Sequence, residues 1–412
     1  MAWLYNLLIK GYGTAIKAAS LRNVKAQKWV EGRQNWPPKL KALLPSHPKR
    51  IWFHAASLGE AEQGLPVIQK LKKAYPDHFI LLTFFSPSGY EHFPPHPAVD
   101  ATFYLPLDTP ENARQWVTLL QPEVVVFIKY EIWLNYFKAL TEADIPTLIA
   151  PALFRPGQFY FKAPFRAVFL PVLKKLYRIM VQTEQSAHFL QQQEFNNVVV
   201  CGDTRVDRVL EIVNTPYEDP LAEAFSSGHT VLVVGSSWPQ EEKLLAEALP
   251  HFPDLKVILA PHDVGEAHIG EILQRYGPEN CERYSSGKLQ GNRQLLIIDT
   301  IGKLSRLYRY GDMAWIGGGM GKGVHSTLEA AAYGMPVFFG PKHQSFVEPG
   351  LMLKQGVAFE IRDLKQLIAS ICNLISDQNL LADLSAKIRA FTRSRAGATE
   401  QIFEVVSKTL KA

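Results

Sequence analysis

Cysteine is scarce in this chain. Its 412 residues hold only Cys201, Cys281 and Cys372, with no CxxC and no metal-like spacing. That excludes a disulfide framework and leaves reduced thiols, as in a cytoplasmic protein. No run of ~20 uninterrupted apolar residues occurs, so no segment reads as a plain spanning helix. Charge of one sign is also limited: 44 Lys and Arg against 39 Asp and Glu leave a net +5. Such an excess is too small to argue for a nucleic-acid partner, and none is expected; it suits an anionic small molecule or an anionic membrane surface. Internal repeats and low-complexity stretches are missing. What remains, 47% hydrophobic and 20% charged residues, is a globular composition long enough for two domains.

The N-terminus is the most lipid-like segment. Residues 1–19 are apolar apart from Asn6, Lys10, Thr14 and Lys17, and carry Trp3, Tyr5 and Tyr12 among Leu4, Leu7, Leu8 and Ile9. Arg22, Lys25, Lys28, Arg33, Lys39 and Lys41 follow. A secretory signal would place charge before the apolar run and a small-residue cleavage site after it. Aromatics with basic flanks instead suit a helix in or on an anionic membrane interface. An ordinary packing helix is the alternative, and the sequence leaves open whether the segment spans or lies on a bilayer.

Apolar runs then alternate with helical patterns, the mark of βαβ units and parallel sheets. The runs fall at residues 50–55, 79–84, 124–128, 147–150, 178–182 and 197–201, and again at 230–234, 256–260, 295–298, 313–316 and 336–339. Each half has enough strands for its own doubly wound sheet. The expected organisation is an N-terminal membrane-associated helix and basic segment over 1–45, a first Rossmann-like domain over 46–213, a Pro-rich linker at 214–220 and a second Rossmann-like domain over 221–395. The last helix, 396–412, is expected to rejoin the first domain.

Ligands of such sheets bind beyond the carboxyl ends of strands. After the first run comes Ser57-Leu58-Gly59-Glu60. Glu60 is placed either to cap its helix or to take a proton from a hydroxyl, and Gly59 lets a ligand approach the backbone. Thr83-Phe84-Phe85-Ser86-Pro87-Ser88-Gly89 ends the second run in a small-residue turn that opens a helix. Lys129 and Glu131 follow the third run, as a local ion pair or as ligand-facing groups. In the second half, Ser236-Ser237-Trp238-Pro239 opens a helix with acids in its first turn. His262 ends a strand within reach of a ligand, although a lone His is more often structural.

The richest segment is Gly317-Gly318-Gly319-Met320-Gly321-Lys322-Gly323-Val324-His325-Ser326-Thr327-Leu328-Glu329, with five glycines in seven residues. It lacks the GK[ST] of a P-loop and the early GxGxxG of a dinucleotide site. Lying between a strand and a helix, the loop, including Gly319 and His325, reads as a phosphate site built from backbone N–H groups. Glu329, one turn on, suits a ribose diol.

In order along the chain, these segments resemble the bacterial 3-deoxy-D-manno-octulosonic acid (Kdo) transferases. Trp29-Val30-Glu31-Gly32-Arg33 resembles that family's basic segment. His54-Ala55-Ala56-Ser57-Leu58-Gly59-Glu60 is similar to its H-A-x-S-x-G-E, residues 83–89 to T-x-x-[ST]-P-[ST]-G, and Glu131-Ile132-Trp133-Leu134-Asn135 to E-I-W-P-N. Asp299-Thr300-Ile301-Gly302-Lys303-Leu304 resembles D-T-x-G-E-L, and Gly340-Pro341 closes the last shared segment. The resemblance implies the GT-B fold, an α/β architecture of two Rossmann-like domains facing a cleft. It implies an inner-membrane enzyme, acting at the cytoplasmic face, that moves Kdo from CMP-Kdo to a lipid A precursor (lipid IVA) without a metal or other cofactor. Glu60 would be the general base and Glu131 a second acidic group on the acceptor side. Ile301, Gly302, Gly323, Ser326 and Glu329 would hold CMP. Departures fall at Leu134, Val324, Ser326 and Ala330, where the family has Pro, Gly, Asn and Pro, and at His262-Asp263 in place of an Arg-His pair. The alternatives are another GT-B enzyme with a different sugar nucleotide, and a membrane-attached binding protein without catalysis.

Overall fold

The apolar runs fold as parallel strands in both halves of the chain. The computed structural model describes every residue except Met1, Tyr130, Ser345 and Ala412. By contacts it divides into two units, Met1–Asp207 with Ala396–Ala412, and Arg208–Arg395. The division falls inside the helix Thr204–Asn214, and residues 214–220 go with the second unit.

The first unit is built on strands β1 (Arg50–Ala55), β2 (Phe79–Phe84), β3 (Ala101–Tyr104), β4 (Val124–Phe127), β5 (Thr147–Ala152), β6 (Arg178–Val181) and β7 (Val198–Val200). They form one parallel sheet in the order β3-β2-β1-β4-β5-β6-β7. All six residues of β1 are buried. Helices cover both faces, so the strand does not alternate in polarity. Trp52, Phe127 and Trp116 pack on one side; Ile51, Val124 and Leu148 on the other.

The chain's last helix, Ala398–Leu410, lies on that second side, where Ile402 and Val406 join the core. Its start is fixed by Asp207, whose carboxylate accepts the N–H groups of Gly397 and Thr399, both at 2.6 Å. The N-terminal helix, Ala2–Ala19, docks by Tyr5, whose hydroxyl donates to Asp108 at 2.6 Å. Asp108 is fully buried and also accepts the N–H groups of Asn135 and Tyr136. Gly13 passes so close to Leu107 that a Cβ there would press on its side chain. The other face leaves Trp3 (67% exposed), Leu7 and Leu8 in solvent. Among the described residues no helix is long and apolar enough to cross a membrane.

The second unit repeats the plan with β8 (Val231–Ser237), β9 (Lys256–Pro261), β10 (Cys281–Arg283), β11 (Leu295–Ile297), β12 (Met313–Ile316), β13 (Val337–Phe339) and β14 (Ala358–Glu360), in the order β10-β11-β9-β8-β12-β13-β14. The sequence reading missed β3, β10 and β14. All three are sheet edges of three or four residues, too short to show a period.

Arg33, read in the sequence as part of a basic flank suited to an anionic membrane interface, is placed otherwise. Its guanidinium turns inward, donating to the backbone oxygens of Trp29, Phe85 and Leu105 and lying 3.9 Å from the Trp29 ring centroid. Burial pushes its pKa down to about 9, while Tyr104, Tyr136 and Tyr12 oppose the shift. Gly32 makes room for the Tyr104 ring beside it.

Candidate active site

A doubly wound sheet has a switch point where the chain leaves neighbouring strands in opposite directions. In the first unit it lies between β1 and β4. Glu60 follows β1, in the first turn of the helix Leu58–Ala74. The Ser57 hydroxyl makes no cap bond, and the Glu60 carboxylate reaches one residue beyond the cap to accept the Ala56 N–H at 2.6 Å. Burial raises the Glu60 pKa; the Ala56 N–H, Lys129 and the Ser57 backbone oppose the rise. The space a Cβ on Gly59 would occupy is open.

Lys129 and Glu131 follow β4. Lys129 adopts a left-handed backbone (φ 62°), a conformation a lysine accepts only when its surroundings impose it. It makes no direct ion pair with Glu131; both groups interact electrostatically with Glu60. The Glu131 pKa is pushed up to about 8, first by burial and then by the Glu60 carboxylate, with the Trp133 indole and Lys129 opposing. Burial lowers Lys129, while Glu60 raises it. Burial and the Glu60 carboxylate thus favour the protonated form of Glu131.

The second unit has its switch point between β8 and β12. Here the glycines differ in role from the reading of a loop that presents its N–H groups to phosphate. Most of those groups are already used. Gly317 donates to Gly235 O, Gly321 and Gly323 to Gly318 O, Val324 to Lys342 O and His325 to Gly317 O. Met320 donates to the wholly buried carboxylate of Glu241 at 2.9 Å. Among the loop's described N–H groups, those of Gly319, Lys322 and Ser326 are left for a ligand. The glycines serve close backbone packing. A Cβ on Gly317 would strike the backbone of Ser236, and one on Gly319 would sit 2.5 Å from the Gly340 nitrogen. Three strand-end loops therefore meet backbone to backbone.

Around that junction stand His262 after β9, Trp238 after β8 and His325 after β12. Trp238 stacks on His262 with centroids 4.4 Å apart, and His262 on His325 at 4.9 Å. The Trp238 indole N–H donates to His325 Nε2 at 3.2 Å. Ser326 and Glu329 flank the start of the helix Leu328–Ala332, both half-buried. Ile301 and Gly302 (φ 83°) form the turn after β11; the Ile301 side chain is 87% exposed. Beside that turn Asp299 is an anchor, accepting from Arg283, the Ser285 hydroxyl and the Ser285 N–H. Among the described residues no three His, Cys, Asp or Glu side chains gather as metal ligands would.

Residues 29–208 match a family profile described as 3-Deoxy-D-manno-octulosonic-acid transferase (kdotransferase). The curated 3-deoxy-D-manno-octulosonic acid transferase of Haemophilus influenzae is 24% identical over 96% of this chain and 94% of its own. That of Aquifex aeolicus is 25% identical over 79% and 86%. The Kdo transferase profile thus lies on the first half of the chain, and the similarity to curated Kdo transferases runs over most of its length. Likeness in fold extends further. The UDP-GlcNAc 2-epimerase of Neisseria meningitidis superposes with a TM-score of 0.61 over 87% of this chain and all of that one, at 14% identity. MurG of Acinetobacter baumannii does so at 0.56 over 88% of this chain and 100% of its own. Both likenesses speak for the fold, which is GT-B.

Within the Kdo transferase pattern, three departures prove to be packing positions. Leu134, Val324 and Ala330 are buried and belong to the hydrophobic cores, so they alter side-chain packing and not a ligand-facing group. Sequence reasoning missed Trp238, Glu241, Lys322 and Asp108 as organisers. Glu241 carried only the signal of a helix-start acid, and Asp108 none.

Proposed function

We propose that this glycosyltransferase moves Kdo from CMP-Kdo to a lipid A precursor, lipid IVA, by a single inverting displacement. Glu60 takes the proton of the acceptor hydroxyl. The freed oxygen attacks the anomeric carbon of Kdo while that carbon's bond to the CMP phosphate breaks, and the negative charge passes to CMP. No step in this scheme runs through a metal or other cofactor.

The observation that carries the reading is the unequal pair of acids. A base must be ionised at working pH, and two neighbouring buried carboxyls cannot both be. The Ala56 N–H at 2.6 Å and Lys129 favour charge on Glu60, and Glu131, raised to about 8, keeps the proton. Glu131 then offers a neutral O–H to the acceptor sugar. CMP would be held in the second unit by Gly319, Gly323, His262, His325, Ser326 and Glu329, with Ile301 and Gly302 against the nucleotide.

The N-terminal helix is proposed to lie on the cytoplasmic face of the inner membrane, not across it. Trp3, Leu7, Leu8 and Tyr12 are exposed beside Lys10 and Lys17. Such a face inserts among headgroups while the lysines meet anionic lipid.

Mass spectrometry of the lipid recovered after incubation with CMP-Kdo and tetraacylated precursor tests the reaction. The expected product is the precursor plus Kdo. Unchanged precursor alongside turnover of a UDP-sugar would replace this reading with another GT-B transferase.

A further inference from the structure

Three neighbouring strands of the second sheet, β9, β8 and β12, end in one cluster of side chains: His262, Trp238, and the pair Lys322 and His325. The Lys322 ammonium lies 4.2 Å from the Trp238 ring centroid, and His262 stacks on the same indole at 4.4 Å. Two groups at those distances fit only on opposite faces. Because His325 Nε2 accepts the indole N–H, the proton of the neutral ring is on Nδ1 and available to a ligand. No carboxylate contacts Lys322, His262 or His325 among the described residues. The cluster is therefore one cation, Lys322, beside neutral donors that no carboxylate touches.

Its frame is rigid. The buried Glu241 carboxylate accepts from the backbone N–H groups of both Trp238 (3.2 Å) and Met320 (2.9 Å), which ties the backbone at Trp238 to the loop that carries Lys322. The ammonium itself is carried on an exposed side chain.

We propose that Trp238, Lys322, His262 and His325 form a clamp for a nucleotide phosphate, with Trp238 as the rest position of the Lys322 ammonium. A cation over an indole at a half-exposed site is weakly held. A phosphate offers it charge-assisted hydrogen bonds, which are stronger. On binding, the ammonium leaves the indole face for a phosphate oxygen, and His325 Nδ1–H and His262 complete the contact. The indole reports the event because its stacked cation is removed. The clamp rests on the donor assignment proposed above for its choice of CMP, but not for its chemistry, which asks only for a phosphate.

The test uses the full-length protein, titrated with CMP, cytidine, UDP and uridine by calorimetry and tryptophan fluorescence. CMP should change the emission of the wild type. Trp238→Phe should lose that change while still binding CMP. Lys322→Ala should weaken CMP by about tenfold or more, the worth of one charge-assisted bond, and leave cytidine within about twofold of the wild type. Lys322→Arg should recover most of the loss. If the wild type binds UDP and not CMP, and Lys322→Ala weakens UDP but not uridine, the clamp stands and the CMP assignment falls. The clamp is overturned if Lys322→Ala binds as the wild type does, if it weakens nucleoside and nucleotide equally, or if no nucleotide binds the wild type.

Discussion

The indole N–H of Trp133 donates to Nε2 of His54 at 3.1 Å. That bond sets the direction of a longer chain. His54 is fully buried, and its pKa is lowered to about 3, first by burial and then by Arg33, so the ring is neutral. With Nε2 accepting, Nδ1 carries the proton and donates to the Thr83 hydroxyl at 2.9 Å, which donates in turn to Phe53 O. Three separate motifs, at residues 54–60, 83–89 and 131–135, are stitched together by one line of hydrogen bonds. The stitch places Glu131 near Glu60.

Trp133→Phe keeps the ring and removes the donor. His54 Nε2 is then buried without a partner, at a cost of about 1–3 kcal/mol. The expected result in urea denaturation is a lower midpoint with an unchanged slope.

Glu131 also makes stability depend on pH. Its folded pKa, about 8, lies above the unfolded value. The native state therefore holds the extra proton, and the associated stability is complete below the unfolded pKa and lost as pH rises through about 8. Glu131→Gln removes this dependence. Thermal melts of the two proteins should coincide near the unfolded carboxyl pKa and separate on the way up. At alkaline pH the variant should melt higher by about 3 °C or more. A constant gap across the range would contradict the assignment.

Two glycines should behave in opposite ways. Gly319→Ala forces a Cβ to 2.5 Å from the Gly340 nitrogen. Overpacking of backbone against backbone should cost about 3 kcal/mol or more. Gly59→Ala meets nothing within 4 Å and should leave the melting point unchanged or slightly raised. If the acceptor approaches that open backbone, Gly59→Ala raises the acceptor KM while kcat for bound substrate is less affected.

The N-terminal helix separates docking from membrane contact. Tyr5→Phe deletes the bond to Asp108, whose carboxyl is held up at about 6 by burial against the opposing bonds from Tyr5, Asn135 and Tyr136. A loss of about 1.5–3 kcal/mol is expected, read as faster proteolysis at Lys10 and Lys17. Trp3→Ala, on the exposed face, should keep stability within about 0.5 kcal/mol and weaken binding to anionic vesicles.

The strands buried on both faces were plain in the sequence, because runs such as 79–84 and 124–127 have no polar side to show. The edge strands β3, β10 and β14 were not. Their three or four residues include Thr, Glu and Arg and carry no period. At the candidate site, the places of Glu60 and Glu131 just after strands were legible. The glycine loop was legible as a junction but not in its role. Composition does not say whether a glycine frees its N–H for a ligand or admits a neighbouring backbone, and the partner of Met320, Glu241, lies 79 residues away. Asp108 was invisible for the same reason, since its partners come from residues 5, 135 and 136.

The most direct test of the account is the rate of Kdo transfer by Glu60→Gln beside its affinity for CMP. The amide keeps the size of the side chain and cannot take a proton. The account predicts loss of at least about a hundredfold in turnover with CMP affinity within about twofold of the wild type. Transfer at the wild-type rate by Glu60→Gln would contradict it.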